Sequence, residues 1–263
     1  MGVINVTPDS FSDGGLALDP LHAADLAVAM AEAGADLIDI GAESTRPGAT
    51  PVGGADELAR VLPVLRAIAS RVSLPISIDT YKSDVAGQAL DEGASIVNDI
   101  SGLQYDPRLG ALTAGRGAPI VLMHTRGRPQ DMYAHAAYGD VVAEVAADLR
   151  QAVDRALAAG IATGSILVDP GLGFAKHASQ SLAVLAGLER LADLGFPMLV
   201  GPSRKSFMAA ATGPLDPQQR DWPTAAAVTA AVLGGAHIVR VHRVAEMVHV
   251  VRVADAIREA SGV

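Results

Sequence analysis

Between Ser165 and Lys176 the chain reads Ser-Ile-Leu-Val-Asp-Pro-Gly-Leu-Gly-Phe-Ala-Lys. Ile166, Leu167 and Val168 form a short unbroken apolar run, the pattern of a strand buried on both faces. The run stops at a carboxylate, Asp169, and Pro170, Gly171 and Gly173 then turn the chain tightly. Seen once, this is a turn with a capping Asp. Here it recurs: Asn5, Glu43, Asp79, Asn98, His124, Asp169, Lys205 and the pair Arg240 and His242 all sit at or just past the end of such a run. Two acids (Asp79, Asp169) and an amide (Asn98) suit a flat heterocycle with adjacent N–H donors, because a carboxylate accepts two parallel hydrogen bonds. Lys205 could donate to a ring carbonyl or nitrogen. Arg240 and His242, two apart, would share one side of a strand, and beside a helix start they suit a phosphate or diphosphate. Asn5 offers a neutral oxygen, a partial ligand for a magnesium ion held mostly by water and phosphate. The ligand these groups fit is a nitrogen heterocycle carrying a diphosphate.

Something must bring those residues together, and the spacing of the apolar runs says what. Strands are expected at Val3–Val6, Leu37–Ile40, Ile76–Ile78, Ser95–Ile100, Ile120–Met123, Ile166–Val168, Met198–Val200 and Ile238–Val241. Helices fall between them: 19–33, 55–70, 82–92, 106–114, 138–159, 179–194, one running to Leu233 after an irregular stretch from Thr212 to Pro223, and 245–260. Strict alternation implies parallel strands with right-handed crossovers. Eight units in 263 residues favour a single (β/α)8 barrel over residues 1–263 rather than an open doubly wound sheet. No G-x-G-x-x-G follows the first strand, which weakens a dinucleotide-binding reading. In a barrel all C-terminal strand ends open onto one face, so the scattered polar residues would share a mouth.

Composition narrows the partners. A net charge of −9 leaves no basic stripe for nucleic acid, so anionic ligands must be held by a few placed cations. No cysteine means no disulfide, thiolate metal site or thiol nucleophile. The Ala-rich segment 224–239 is interrupted by Gly234, Gly235 and His237 and does not read as a membrane span. No signal peptide is visible, and the expectation is a cytoplasmic protein.

The motifs resemble one family. Asn5-Val-Thr-Pro-Asp-Ser-Phe-Ser-Asp-Gly-Gly15, Glu43-Ser-Thr-Arg-Pro-Gly48, Ile78-Asp-Thr80, Val97-Asn-Asp-Ile100, Asp169-Pro-Gly-Leu-Gly-Phe174, Ser203-Arg-Lys205 and Arg240-Val-His242 resemble bacterial dihydropteroate synthases, in family order from Met1 through the last strand. The resemblance implies a transferase joining (7,8-dihydropterin-6-yl)methyl diphosphate to 4-aminobenzoate. By the family's pattern Asp79, Asn98, Asp169 and Lys205 hold the pterin, with Met123, Phe174 and Ile100 lining its slot. Thr45, Arg240, His242 and Asn5 would bind the diphosphate, Asn5 through Mg2+. Phe11, Thr45, Arg46, Pro47, Ser203 and Lys205 would form the 4-aminobenzoate pocket. Asp79, Lys205, Arg240 and Asp13 would be the catalytic residues. Family members are sulfonamide targets and homodimers. Three departures stand out: residues that usually precede the first strand are missing, so the barrel floor is expected to be less covered; Ala42 replaces a frequent glycine; and Arg243 replaces a common Asp, adding a cation near the diphosphate. Two alternatives remain open, a pterin-binding methyltransferase domain and a non-catalytic pterin-binding paralogue.

Overall fold

The computed structural model describes residues 1–7 and 19–261. Strands form at the short apolar runs: β1 (Gly2–Asn5), β2 (Ile38–Gly41), β3 (Ile76–Asp79), β4 (Ile96–Asp99), β5 (Ile120–Met123), β6 (Ile166–Asp169), β7 (Leu199–Val200) and β8 (Ile238–Val239). Between and after them lie α1 (Pro20–Glu32), α2 (Gly54–Ala69), α3 (Ser83–Asp91), α4 (Leu109–Arg116), α5 (Val141–Ala158), α6 (Ala178–Ala186), α7 (Leu188–Ala192), α8 (Ala209–Thr212), α9 (Asp221–Leu233) and α10 (Val244–Ser261). Local chemistry sets several starts. Asp19 caps α1 by accepting the Leu21 N–H at 3.0 Å with Pro20 next in line, and Asp140 caps α5 through Val142 and Ala143.

All strand pairs are parallel. β1 to β6 pair in chain order and β7 pairs with β8. Two single bridges, Val168 with Met198 and Gly2 with Val241, join the sets into a closed ring. The expected (β/α)8 barrel is therefore the observed fold, and Met1 takes part in closing it by accepting the Val241 N–H at 3.0 Å.

Alternation along the strands divides the core in two. Ile38, Ile40, Ile78, Val97, Ile120, Leu122, Ile166, Val168 and Val200 face the helices and join one large apolar cluster. Met1, Leu37, Ile96, Val121, Leu167, Leu199 and Ile238 form a second, smaller cluster that fills the barrel as a floor. Two positions further along those same strands stand Asp39, Asn98, Met123, Asp169, Gly201 and Arg240. One apolar layer thus carries a polar layer directly above it.

Three expectations about elements change. The helix expected over 179–194 breaks at Gly187 into α6 and α7; a Cβ there would come 2.9 Å from Val142 Cγ2, so close packing against α5 requires glycine at a helix-weakening position. The stretch expected to be irregular from Thr212 to Pro223 begins as α8 ends and holds a 3-10 turn at Pro217–Arg220, and α9 already begins at Asp221. Pro223 falls in the first turn of α9, where its missing N–H has no partner to lose. Strand eight ends at Val239, two residues early, although Val241 still bridges to Gly2.

Candidate active site

Arg240 stands at the centre of the polar layer. Its Nε donates to Asp39 Oδ2 at 2.7 Å, and its Nη2 lies 3.0 Å from Asp79 Oδ2. Asn98 Nδ2 sits 3.5 Å from both oxygens of Asp39. Side chains from β2, β3, β4 and the chain just past β8 thus meet at one point. Gly41, in register between Asn5 and Asp79, makes room for them: a Cβ on it would approach Asp79 Cβ to 3.2 Å.

The other side of the mouth is built around β6. Asp169 is in register with Met123, and its Oδ1 accepts the Gly171 N–H at 2.7 Å. Lys205 Nζ donates to Leu172 O and stands 4.5 Å from the centre of the Phe174 ring. Ser203 Oγ lies 2.9 Å from His242 Nδ1 and accepts the His242 backbone N–H at 3.2 Å. Arg204 between them is left-handed (φ 58°) and turns away to Asp221, with its N–H on Thr224 Oγ1 at 3.0 Å, which leaves Ser203 and Lys205 on the mouth side.

Burial governs the charges here. It pushes the Asp79 carboxyl up to about 7; Arg240 opposes the shift and the Asp39 charge adds to it. Burial likewise raises Asp169 and brings Lys205 down to about 8, each opposing the other's shift. For Arg240 burial works against the charge, but Asp39 and Asp79 outweigh it and the pKa rises. His242 is pulled down to about 3 by burial and then by Arg240, Arg204, Arg46 and Lys205. It is therefore neutral at pH 7. Positive groups thus surround His242, although Arg240 is paired with Asp39 and Asp79 and Arg204 with Asp221.

Asp79, Asn98, Asp169, Lys205 and Arg240, far apart in the chain, are thus brought to one mouth. Met123 and Ile100 are buried beside it, 4% exposed each, at the end of β5 and just past β4. Asn5 ends β1 at the same level. Thr45 is half-buried, whereas Arg46 and Pro47 are exposed on the loop after β2, which is tied to the loop after β5 by Gly48 N–H on Pro129 O at 3.0 Å. Phe11 and Asp13 lie outside the described residues. Arg240 and His242 do not act as a pair side by side: β8 has ended, and Arg240 turns to Asp39 and Asp79 while His242 turns to Ser203. Two other strand-end residues leave the mouth. His124 follows the inward Met123 and so points out to Asp148, and Glu43 is held by Tyr81 and Lys82. Arg243 is exposed and paired with Glu246 in the first turn of α10, so its charge is already matched.

A family model described as "Pterin binding enzyme" matches residues 1–242. The chain is 47% identical to the dihydropteroate synthase of Synechocystis sp. over 98% of its own length and 89% of that protein. It belongs to the dihydropteroate synthase family. Among solved structures, the Yersinia pestis dihydropteroate synthase in a sulfonamide drug complex matches with a TM-score of 0.94 at 41% identity, covering 98% of this chain and 94% of that one. The Xanthomonas albilineans dihydropteroate synthase in complex with 7,8-dihydropteroate matches with a TM-score of 0.88 at 39% identity, over 98% and 92% of the two chains. In this dihydropteroate synthase family member one part of the polar ring escapes the strand-end rule. Asp39 is mid-strand and fully buried, yet it holds Arg240 and Asn98. The signal was a carboxylate between Ile38 and Ile40, which cannot face an apolar helix layer and must point inward.

Proposed function

We propose that the chain condenses (7,8-dihydropterin-6-yl)methyl diphosphate with 4-aminobenzoate, giving 7,8-dihydropteroate and diphosphate. The observation that carries this reading is the polar layer at one barrel mouth, where carboxylates and an amide suited to a pterin edge meet Arg240, with the Ser203–His242 pair on the same mouth. Asp79, Asn98, Asp169 and Lys205 would orient the pterin over the apolar floor, with Phe174, Met123 and Ile100 at its faces. Asp39 holds Arg240 and Asn98 in place for that task.

An aromatic amine is already nucleophilic, so the barrier lies in breaking the C–O bond to diphosphate. The amine lone pair forms the C–N bond at the methylene carbon, the C–O pair leaves with diphosphate, and the amine proton goes to solvent. Arg240 and the neutral His242, oriented by Ser203, would stabilise the departing charge; one such preorganised donor is worth about 10²–10³ in rate. The Asp79 carboxylate would balance positive charge developing on the pterin methylene. Thr45, Arg46, Pro47, Ser203 and Lys205, together with Phe11 and Asp13, are proposed to form the 4-aminobenzoate pocket and exclude water.

The donor set fits magnesium. Asn5 offers one amide oxygen, a partial ligand of the kind that suits an ion carried mostly by water and phosphate oxygens. Bound there, Mg2+ would supply positive charge to the leaving diphosphate. A cytoplasmic homodimer completes the reading. Among the described residues no helix is long and apolar enough to cross a membrane, and exposed Trp222 and Leu233 on α9 with Val253 and Ile257 on the adjacent α10 offer apolar surface to a second copy. A methyl-transferring relative would have no use for the cations around His242. Diphosphate release measured with and without 4-aminobenzoate tests the proposal: release should require 4-aminobenzoate, and its absence under both conditions, or equal release in both, contradicts it.

A further inference from the structure

Among the described residues Lys176 is the largest side chain buried this fully, 1% exposed, and it has no part in the chemistry above. A buried lysine must be compensated, and the compensation here is specific. Its Nζ lies 3.0 Å from Gly171 O, 3.0 Å from Phe174 O and 2.7 Å from His124 Nδ1. Beyond it, His124 Nε2 is 3.1 Å from Asp148 Oδ2 on α5, which also accepts from Arg126 Nε at 2.9 Å. Asp148 and Arg126 line a cavity of about 180 Å3, so this end of the chain of contacts is near solvent.

Donor counting fixes the proton positions. A carboxylate only accepts, so His124 Nε2 carries the ring proton. Burial, and next the Lys176 charge, hold His124 down to about 4, so it is neutral at pH 7 and Nδ1 is bare. Lys176 then faces three acceptors, which matches the three N–H groups of an ammonium. Burial pulls its pKa down and the Asp169 carboxylate works the other way; the three acceptors decide for the charged form.

What the ammonium holds is the turn behind the mouth. Within the turn it grips, the Gly171 N–H binds Asp169 Oδ1, Leu172 O takes Lys205 Nζ, and the Phe174 ring lies beneath that same Nζ. Ala175, next in line, is left-handed at φ 49°, a conformation a non-glycine residue keeps only when its surroundings hold it. We propose that Lys176, set by His124 and Asp148, is a positioning residue that fixes the 171–174 turn and with it the Asp169 and Lys205 geometry that receives the pterin. This rests on the pterin site proposed above.

The test is titration calorimetry of the whole protein with a pterin lacking diphosphate, together with KM for each substrate, in four variants. Lys176→Met removes all three donors; Asp148→Ala frees His124 to move its proton to Nδ1. Asp148→Asn keeps an oxygen for the His124 Nε2–H, and Val145→Ala weakens the buried face of α5 without touching the relay. Pterin binding should weaken about 30-fold in Lys176→Met and about 5-fold in Asp148→Ala, and Asp148→Asn should recover most of the latter loss. Val145→Ala should lower Tm yet bind pterin as the wild type does, and because Lys205 also borders the 4-aminobenzoate pocket, KM for 4-aminobenzoate should rise in Lys176→Met and Asp148→Ala, but by less than pterin affinity falls. Pterin affinity unchanged in Lys176→Met and Asp148→Ala, or lost equally in Val145→Ala, overturns the proposal. Should Lys176→Met not fold, the comparison of Asp148→Ala, Asp148→Asn and Val145→Ala decides alone. A wild type that binds no pterin overturns the site reading itself, whereas equal binding by wild type and variants overturns only the role of Lys176.

Discussion

Two carboxylates sharing one guanidinium set the chemistry at the scale of single residues. Asp39 and Asp79 both lean on Arg240, and burial lifts Asp79 to about 7, so near neutral pH only part of the population carries the charge proposed to face the pterin methylene. The value of kcat/KM for the pterin diphosphate should therefore climb as pH rises through 7 and Asp79 loses its proton. Asp79→Asn should abolish that climb and slow the reaction about 10²–10³-fold, read from a pH–rate profile of both forms. Ser203 acts on the other end of the ligand. Its hydroxyl orients His242, so Ser203→Ala should weaken product inhibition by diphosphate about tenfold while leaving pterin affinity alone. Asp79, Asn98, Asp169 and Arg240 were legible because each ends an apolar run. Asp39 was hidden because strand-end reading looks past the middle of a strand, and Lys176 because a lone lysine after a turn reads as surface.

At the scale of elements, the junction of β6 and α6 is the part that tolerates least. Gly171 is left-handed at φ 64°, and a Cβ there would sit 2.0 Å from His124 O. Nothing flexible can yield, because the obstacle is backbone. Gly171→Ala should cost more than about 2 kcal/mol by denaturant midpoint and should weaken pterin binding together with stability. Strand and helix order could be read directly from alternating runs, since each short strand carries its own apolar signature. Inward and outward facing could not be read from strand ends alone. A strand-end reading places His124 at the mouth, yet it follows an inward Met123 by one residue and so faces α5. The break at Gly187 was likewise invisible, because its cause is the approach of Val142 from another helix.

At the scale of the molecule, closure of the ring is what gathers residues from both ends of the chain, and burial is what that closure imposes on them. His124 and His242 are held neutral, at about 4 and about 3, against 6.5 for a free histidine. The unfolded chain takes up protons that the folded barrel refuses, so their stability contribution is full above pH 6.5 and falls away toward pH 4, by about 1.4 kcal/mol per pH unit for each group. Asp79 titrates in the opposite sense, since its folded carboxyl keeps a proton that the unfolded one gives up. The His124 contribution is therefore read as a difference: Tm should fall less steeply between pH 6.5 and 4 in His124→Gln than in the wild type. Pterin binding depends on polar groups from separate strands clasping one ring, and Asp169 is a member held by the Gly171 N–H rather than by a hydrogen bond to Arg240. Calorimetric titration of a pterin into wild type and Asp169→Asn addresses this most directly. Loss of the carboxylate that accepts two parallel bonds should weaken binding about 100-fold, whereas equal affinity in the two proteins would contradict the site.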